Sequence, residues 1–215
     1  MTTRTLKWLA VLVFILTVPG AAAETGGAPD FGSYEWNLIN GETRWTPRAG
    51  LQVVNLKNRF YLMGGRTPRP PGFTPIPGDS DIWVDVWKSD DRGISWQKIL
   101  ETNDEQHWPA RAYFQAVTRN SYMYVLGGQN FKLEPNDCPP LVPDCPPFVS
   151  SSNFFNDVWR SRDGIHWQQM TGASPWAGRA GLSSVVHRGE IYIMGGSFND
   201  DPAVIGRPPT RGYLN

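Results

Sequence analysis

Arg111-Ala-Tyr-Phe-Gln-Ala-Val-Thr-Arg-Asn-Ser-Tyr-Met-Tyr-Val-Leu-Gly-Gly128 is the stretch whose reading decides the architecture of this chain. Its frame is an Arg-Ala pair followed, sixteen positions after the Arg, by a Gly-Gly pair, and it occurs three times. Arg48 leads to Gly64 and Gly65, Arg111 to Gly127 and Gly128, and Arg179 to Gly195 and Gly196. The three segments align without a gap, with Tyr61, Tyr124 and Tyr192 in one register and two apolar residues after each. A fixed frame recurring after 63 and then 68 residues marks a repeat architecture.

Each frame reads as a hairpin of short strands. Leu51–Leu56, Phe114–Thr118 and Leu182–Val186 are β-rich runs. They lead into Lys57-Asn58, Asn120-Ser121 and Arg188-Gly189, where Asn and Gly tolerate the positive φ of a tight turn. Phe60–Met63, Tyr122–Leu126 and Ile191–Met194 are near-continuous apolar runs, as expected of strands buried on both faces. A third strand is predicted at Asp85-Val86-Trp87 and Asp157-Val158-Trp159, after long intervening loops. A fourth is predicted around Trp96 and Trp167, at Ser95–Ile99 and His166–Met170. Four antiparallel strands per unit, with no helical periodicity, describe the blade of a β-propeller.

Gly-Gly after the second strand, an aromatic residue before it and a Trp in the fourth strand together resemble the kelch repeat of galactose oxidase-like propellers. The resemblance covers roughly residues 34–200, and three copies in register make it specific. It implies an all-β fold of kelch-type blades. Blade 1 spans 48–100, blade 2 spans 111–171, and 179–215 forms an incomplete blade 3. A second resemblance lies between strands three and four. Ser89, Asp91, Gly93 and Trp96 fit the Asp-box pattern Ser-x-Asp-x-Gly-x-x-Trp, and Ser161, Asp163, Gly164 and Trp167 form the same turn one residue shorter. Ser and Asp can cap the turn's own N–H groups while Trp anchors it. Asp-boxes occur in sialidases, away from their catalytic centres, so the turn is read as a folding element.

Residues 1–23 read as a secretory signal peptide. Arg4 and Lys7 precede the apolar run Trp8–Val18, Pro19-Gly20 breaks it, and Ala21–Ala23 provides small residues for cleavage after Ala23. Eleven residues are too few to cross about 30 Å of hydrocarbon, so a secreted or periplasmic protein without a membrane span is expected. Removing Arg4 and Lys7 with the leader leaves 18 basic and 20 acidic side chains, a balance that gives no sign of a nucleic-acid or anionic-membrane partner, which would call for a basic patch. In that compartment Cys138 and Cys145, each an Asp-Cys-Pro-Pro, are expected to form a disulfide. Closing so short a ring is worth about 2.5 kcal/mol in the chain-entropy picture.

The blades do not close. Residues 34–40 resemble a lone fourth strand, which in kelch-type propellers completes the last blade. Two full blades follow, and about two and a half blades in all fall short of the four to eight usual for a propeller. The chain is read as the front of a longer propeller. Assembly of copies into a homo-oligomeric ring and an open array are the alternatives.

Site chemistry is sparse, with no catalytic, cofactor or metal residue assigned. Only three histidines are present, and His107 alone lies in a connection from strand four to strand one. Arg48, Arg111 and Arg179, like Asp85 and Asp157, share a register and are assigned to the repeat framework rather than to a ligand. The parts that do not repeat are the proline-rich loop 66–81, the loop 129–153 with its two cysteines, and the segment from Ser197 with Pro208-Pro209. These loops point to a non-catalytic binding module for a protein or carbohydrate ligand. The alternatives are a fragment of a kelch-like sugar enzyme of the sialic-acid mutarotase type and a truncated, non-functional product.

Overall fold

Three tight turns organise the molecule. Lys57 and Asn58 have φ of 52° and 62°, Asn120 and Ser121 have 49° and 62°, and Arg188 and Gly189 have 48° and 79°. Two successive positive φ values give the turn that matches the twist of the flanking strands. The computed structural model describes residues 14–16, 35–69, 80–101, 107–135 and 148–198. Among them the strands are β1 (Phe14–Leu16), β2 (Trp36–Leu38), β3 (Gln52–Leu56), β4 (Arg59–Met63), β5 (Arg66–Pro68), β6 (Ser80–Ile82), β7 (Val86–Ser89) and β8 (Gln97–Leu100). They continue as β9 (Gln115–Arg119), β10 (Tyr122–Leu126), β11 (Gln129–Pro135), β12 (Phe148–Phe154), β13 (Val158–Ser161), β14 (Trp167–Thr171), β15 (Ser183–His187) and β16 (Glu190–Met194). No helix of the described residues is long and apolar enough to cross a membrane.

The fold is all-β and consists of propeller blades. Blade 1 is the antiparallel sheet β3-β4-β7-β8, blade 2 is β9-β10-β13-β14, and blade 3 is the pair β15-β16. The repetition extends to irregularities: the register slips between Val86 and Trp87 in blade 1 and between Val158 and Trp159 in blade 2. Each slip opposes two residues to one and increases the local twist.

Blades 1 and 2 share one core. Tyr61, Met63, Val86 and Leu100 of blade 1 meet Trp108, Phe114, Met123, Val125 and Trp167 of blade 2. Met63, Val86, Phe114, Met123 and Val125 are wholly inaccessible to solvent, and each such side chain contributes roughly 1.5–3 kcal/mol of burial energy. The glycine pairs allow this closeness. A Cβ on Gly64 would lie 2.6 Å from the Phe114 ring, and Gly65 donates its N–H to the Arg111 carbonyl at 2.9 Å. Gly128 donates in the same way to the Arg179 carbonyl at 2.8 Å.

Three features differ from the reading of the sequence. The strand at Trp36–Leu38 exists, and it pairs with Phe14–Leu16, within the segment read as leader. Both runs are β-prone, and pairing satisfies N–H and C=O groups along one edge of each. The loops from strand two to strand three are not irregular throughout: β5 pairs with β6 and β11 with β12, so each connection starts as a two-stranded ribbon. Lastly, β16 alternates exposed and half-buried residues instead of being buried on both faces. Its apolar run matches those of β4 and β10, but among the described residues no further blade covers it. Cys138 and Cys145, most of residues 1–23, and Pro208-Pro209 lie outside the described residues.

Candidate functional site

Each repeated Arg sits just before the first strand of its blade, beside the end of the second. Arg48 donates from Nε to the Thr46 carbonyl and from Nη1 to the Gly64 carbonyl, both at 3.1 Å. Its Nη1 and Nη2 clasp Asp85 Oδ1 and Oδ2 at 2.5 and 3.1 Å, and the Trp87 indole donates to Oδ2 at 2.8 Å. Arg111 repeats the set: Pro109 carbonyl at 3.1 Å, Gly127 carbonyl at 2.9 Å, and Asp157 at 2.6 and 2.8 Å, with Trp159 donating to Asp157 at 2.7 Å. An aromatic ring lies over each guanidinium, Trp83 at 4.7 Å from Arg48 and Phe155 at 3.9 Å from Arg111. Burial lowers the pKa of Arg111, while the Asp157 hydrogen bonds and charge act in the opposite direction. Each of these two guanidiniums makes four hydrogen bonds, and both oxygens of each carboxylate accept, within the blade. Arg179 makes the matching bonds to Ala177 at 3.1 Å and Gly195 at 3.0 Å, but no carboxylate of the described residues meets it.

The two Ser-Asp-Gly turns lie at the opposite end. Ser89 Oγ donates to Asp91 at 2.8 Å and accepts from the Gly93 N–H, while Ser95 donates to Asp91 from both its N–H and its hydroxyl. Those bonds, led by the Ser95 hydroxyl, hold the Asp91 carboxyl at a pKa of about 2. In blade 2 Asp163 accepts from the Ile165 and His166 N–H groups and from the His166 ring. Burial pushes its pKa up, but these bonds prevail and hold it at about 2. The Trp96 and Trp167 indoles donate to the Gly93 and Gly164 carbonyls, both at 3.0 Å, so the turns are internally satisfied.

Strand topology places the β5–β6 and β11–β12 ribbons at the end that carries the Arg clusters. Their bases are locked by bridges from Ala49 to Arg66 and from Ala112 to Gln129. The two ribbons are neighbours, with β11 beside β6. Arg66 donates to Ser80 at 2.7 Å, the Trp83 indole to Thr67 at 2.9 Å, and Arg69 forms an exposed ion pair with Asp81 at 2.8 Å. His107 lies buried at this end, with Nδ1 donating to the Trp108 carbonyl at 2.9 Å. Its Nε2 has no hydrogen-bond partner among the described residues. No cluster of three or more His, Cys, Asp or Glu residues that could hold a metal occurs among the described residues. His166 and His187 belong to turns at the opposite end.

One structural signal was legible but missed. Trp45, Trp108 and Trp176 each stand three residues before a repeated Arg. Trp45 packs edge-on against Trp96 at 4.9 Å and Trp108 against Trp167 at 5.9 Å, so each ties the connection to its blade's fourth strand. The aromatic lids Trp83 and Phe155, two residues before the Asp, were equally visible in register.

No protein-family model matches this chain, and no curated protein sequence matches it. Among solved structures it is similar to that of YjhT, with a TM-score of 0.52 and 18% identity over 76% of this chain and 49% of that one. The chain thus spans about half the length of that protein. The likeness is one of fold, a kelch-like β-propeller.

Proposed function

We propose that this chain is an exported kelch-like propeller segment that binds a protein or glycan through the end carrying the β5–β6 and β11–β12 ribbons. One contrast carries the reading. The residues that repeat are consumed in holding the blades, whereas the ribbons differ from blade to blade and stand side by side on a rigid base. Variable extensions on a rigid framework are where recognition concentrates. Proline in the 66–81 segment and a Cys138–Cys145 disulfide would lower the ordering cost of binding. The protein is to be displayed on a glycan array and titrated with any glycan it retains, in parallel with a form in which residues 133–150 are replaced by a short Gly-Ser linker. Loss of binding in the shortened form is expected; unchanged binding would reject the assignment of this face. A screen of immobilised extracellular protein domains forms the second arm.

A second reading, a fragment of a kelch-like sugar enzyme of the sialic-acid mutarotase type, draws on the fold and on the proposed export alone. NMR exchange between sialic-acid anomers separates the two. Acceleration by the protein would overturn the binding-only view.

A further inference from the structure

We propose that the rim of blade 2, at the end opposite the ribbons, is a docking site for an acidic peptide segment held by Arg160 and Arg162. The repeat itself exposes a difference in charge. In blade 1 the residue after the turn serine is Asp90, whose carboxylate pairs with Arg59 at 2.8 Å and with Lys88 at 3.0 Å. In blade 2 the residues in the registers of Asp90, Arg59 and Lys88 are Arg162, Tyr122 and Arg160. The acid has become a base, and one of its partners an aromatic ring. Blade 1 shares one carboxylate between two cations; blade 2 places two guanidiniums together with none.

Both guanidiniums lie 4.4 Å from the centroid of the Tyr122 ring, which positions them without neutralising them. Arg160 donates from Nε and Nη2 to Gln168 Oε1 at 3.1 and 2.9 Å, a neutral acceptor. Arg162 makes no hydrogen bond or ion pair among the described residues. Arg119, opposite Tyr122 in the β9–β10 pairing, donates from Nε to the Gly189 carbonyl and so brings the Arg188-Gly189 turn alongside. The acids nearest in the chain are engaged, Asp163 with Ser161 and His166, and Glu190 with Tyr192. A neighbouring blade does not cover this rim. At the junction of blades 1 and 2 the matching Arg59 and Asp90 side chains are still 51% and 57% exposed.

Charge and shape select the occupant. Two guanidiniums on one ring repel each other, and a carboxylate both relieves that repulsion and accepts their N–H groups. Planar forks suit carboxylates, and arginine clusters are a recurrent means of holding acidic motifs. Asp90 and Asp91 stand at the same end in blade 1, so a broad anionic surface such as a bilayer would meet like charge there. A single extended chain would not. The Tyr122 ring is taken by the guanidiniums, which leaves it unsuited to stacking on a sugar. Ile165, 44% exposed in the adjoining turn, offers an apolar contact to a peptide side chain. This rim is separate from the ribbon end and independent of the role proposed for it.

The test titrates the full chain into a fluorescein-labelled hexaglutamate peptide, read by anisotropy at about 50 mM salt, where surface charge is weakly screened. Saturable binding is expected, weakened at least about tenfold by Arg162→Asp, which restores the acid of blade 1. Lys57→Asp makes the same change in net charge at the exposed turn of blade 1 and should alter binding by less than about twofold. Both side chains are exposed, so neither reversal removes a core contact. Equal weakening by the two reversals would reduce the effect to net charge and overturn the site. No saturation up to about 1 mM would overturn it as well. A heparin fragment or phosphatidylglycerol vesicles bound more tightly than the peptide, and released by Arg162→Asp, would overturn the peptide assignment in favour of a glycan or a lipid surface.

Discussion

The junction between blades 1 and 2 and the open side of blade 3 are built from the same residues in different surroundings. Tyr61 and Met63 are 3% and 0% exposed, whereas Tyr192 and Met194, at the same positions of the frame, are 43% and 49% exposed. Arg111 is wholly buried in a bidentate pair with Asp157; Arg179 keeps the two backbone bonds and meets no carboxylate among the described residues. The hairpin forms in both places, because its turn and alternation are local. Energetic value comes from the neighbouring blade. A propeller blade in this sense resembles a solenoid repeat, whose terminal faces depend on a cap or partner.

Substituting the register-matched arginines is the strongest way to break this comparison. Arg111→Met leaves Asp157 buried with only the Trp159 indole, and a loss of about 3–5 kcal/mol is expected in urea unfolding. Arg179→Met removes two hydrogen bonds to carbonyls and strands no buried acid, so a loss of about 1 kcal/mol is expected. Equal losses would show that the two sites are energetically alike. The methionines provide the next test. Met63→Ala opens a cavity in the shared core and should cost about 2–5 kcal/mol, while Met194→Ala should change stability by less than about 0.5 kcal/mol.

The smallest effect is electrostatic and lies at the rim of the junction, where the Gly164 turn touches Tyr61. The Asp163 hydrogen bond, then its charge, raises the His166 pKa above its ordinary 6.5. Stabilisation from this His is therefore complete below 6.5 and fades as pH rises through the higher folded value. The Asp163 contribution has the opposite sense: present above 3.8, it is lost as pH falls toward about 2. An NMR titration of His166 should show a midpoint above 6.5 that falls toward 6.5 in Asp163→Asn. An unchanged midpoint in that variant would remove the pair as the cause.

Much of this architecture was legible because the fold repeats and the chain reports it three times. The Arg-Ala to Gly-Gly spacing, the paired turn residues and the Asp-Val-Trp strands each carry a local physical requirement, so they can be read without tertiary information. The ribbons were not legible. β11 and β12 are held by backbone pairing across a connection of low hydrophobic periodicity, and such pairing leaves little trace in side-chain pattern. The partner of β2 was also hidden, since an edge strand's neighbour depends on which segments come near it.

The linear sequence by itself determined the blade: where strands turn, where glycine must stand, and which Arg, Asp and Trp share a register. Those are short-range constraints of φ, alternation and volume. Only the tertiary structure decided what the repeated residues mean in each blade. It showed that Asp85 and Asp157 neutralise Arg48 and Arg111, that glycine N–H groups join one blade to the next, and that among the described residues Arg179 and the outer β16 edge are unmatched. The reason is that a buried charge or an open ladder is defined by its surroundings, and identical frames received different surroundings.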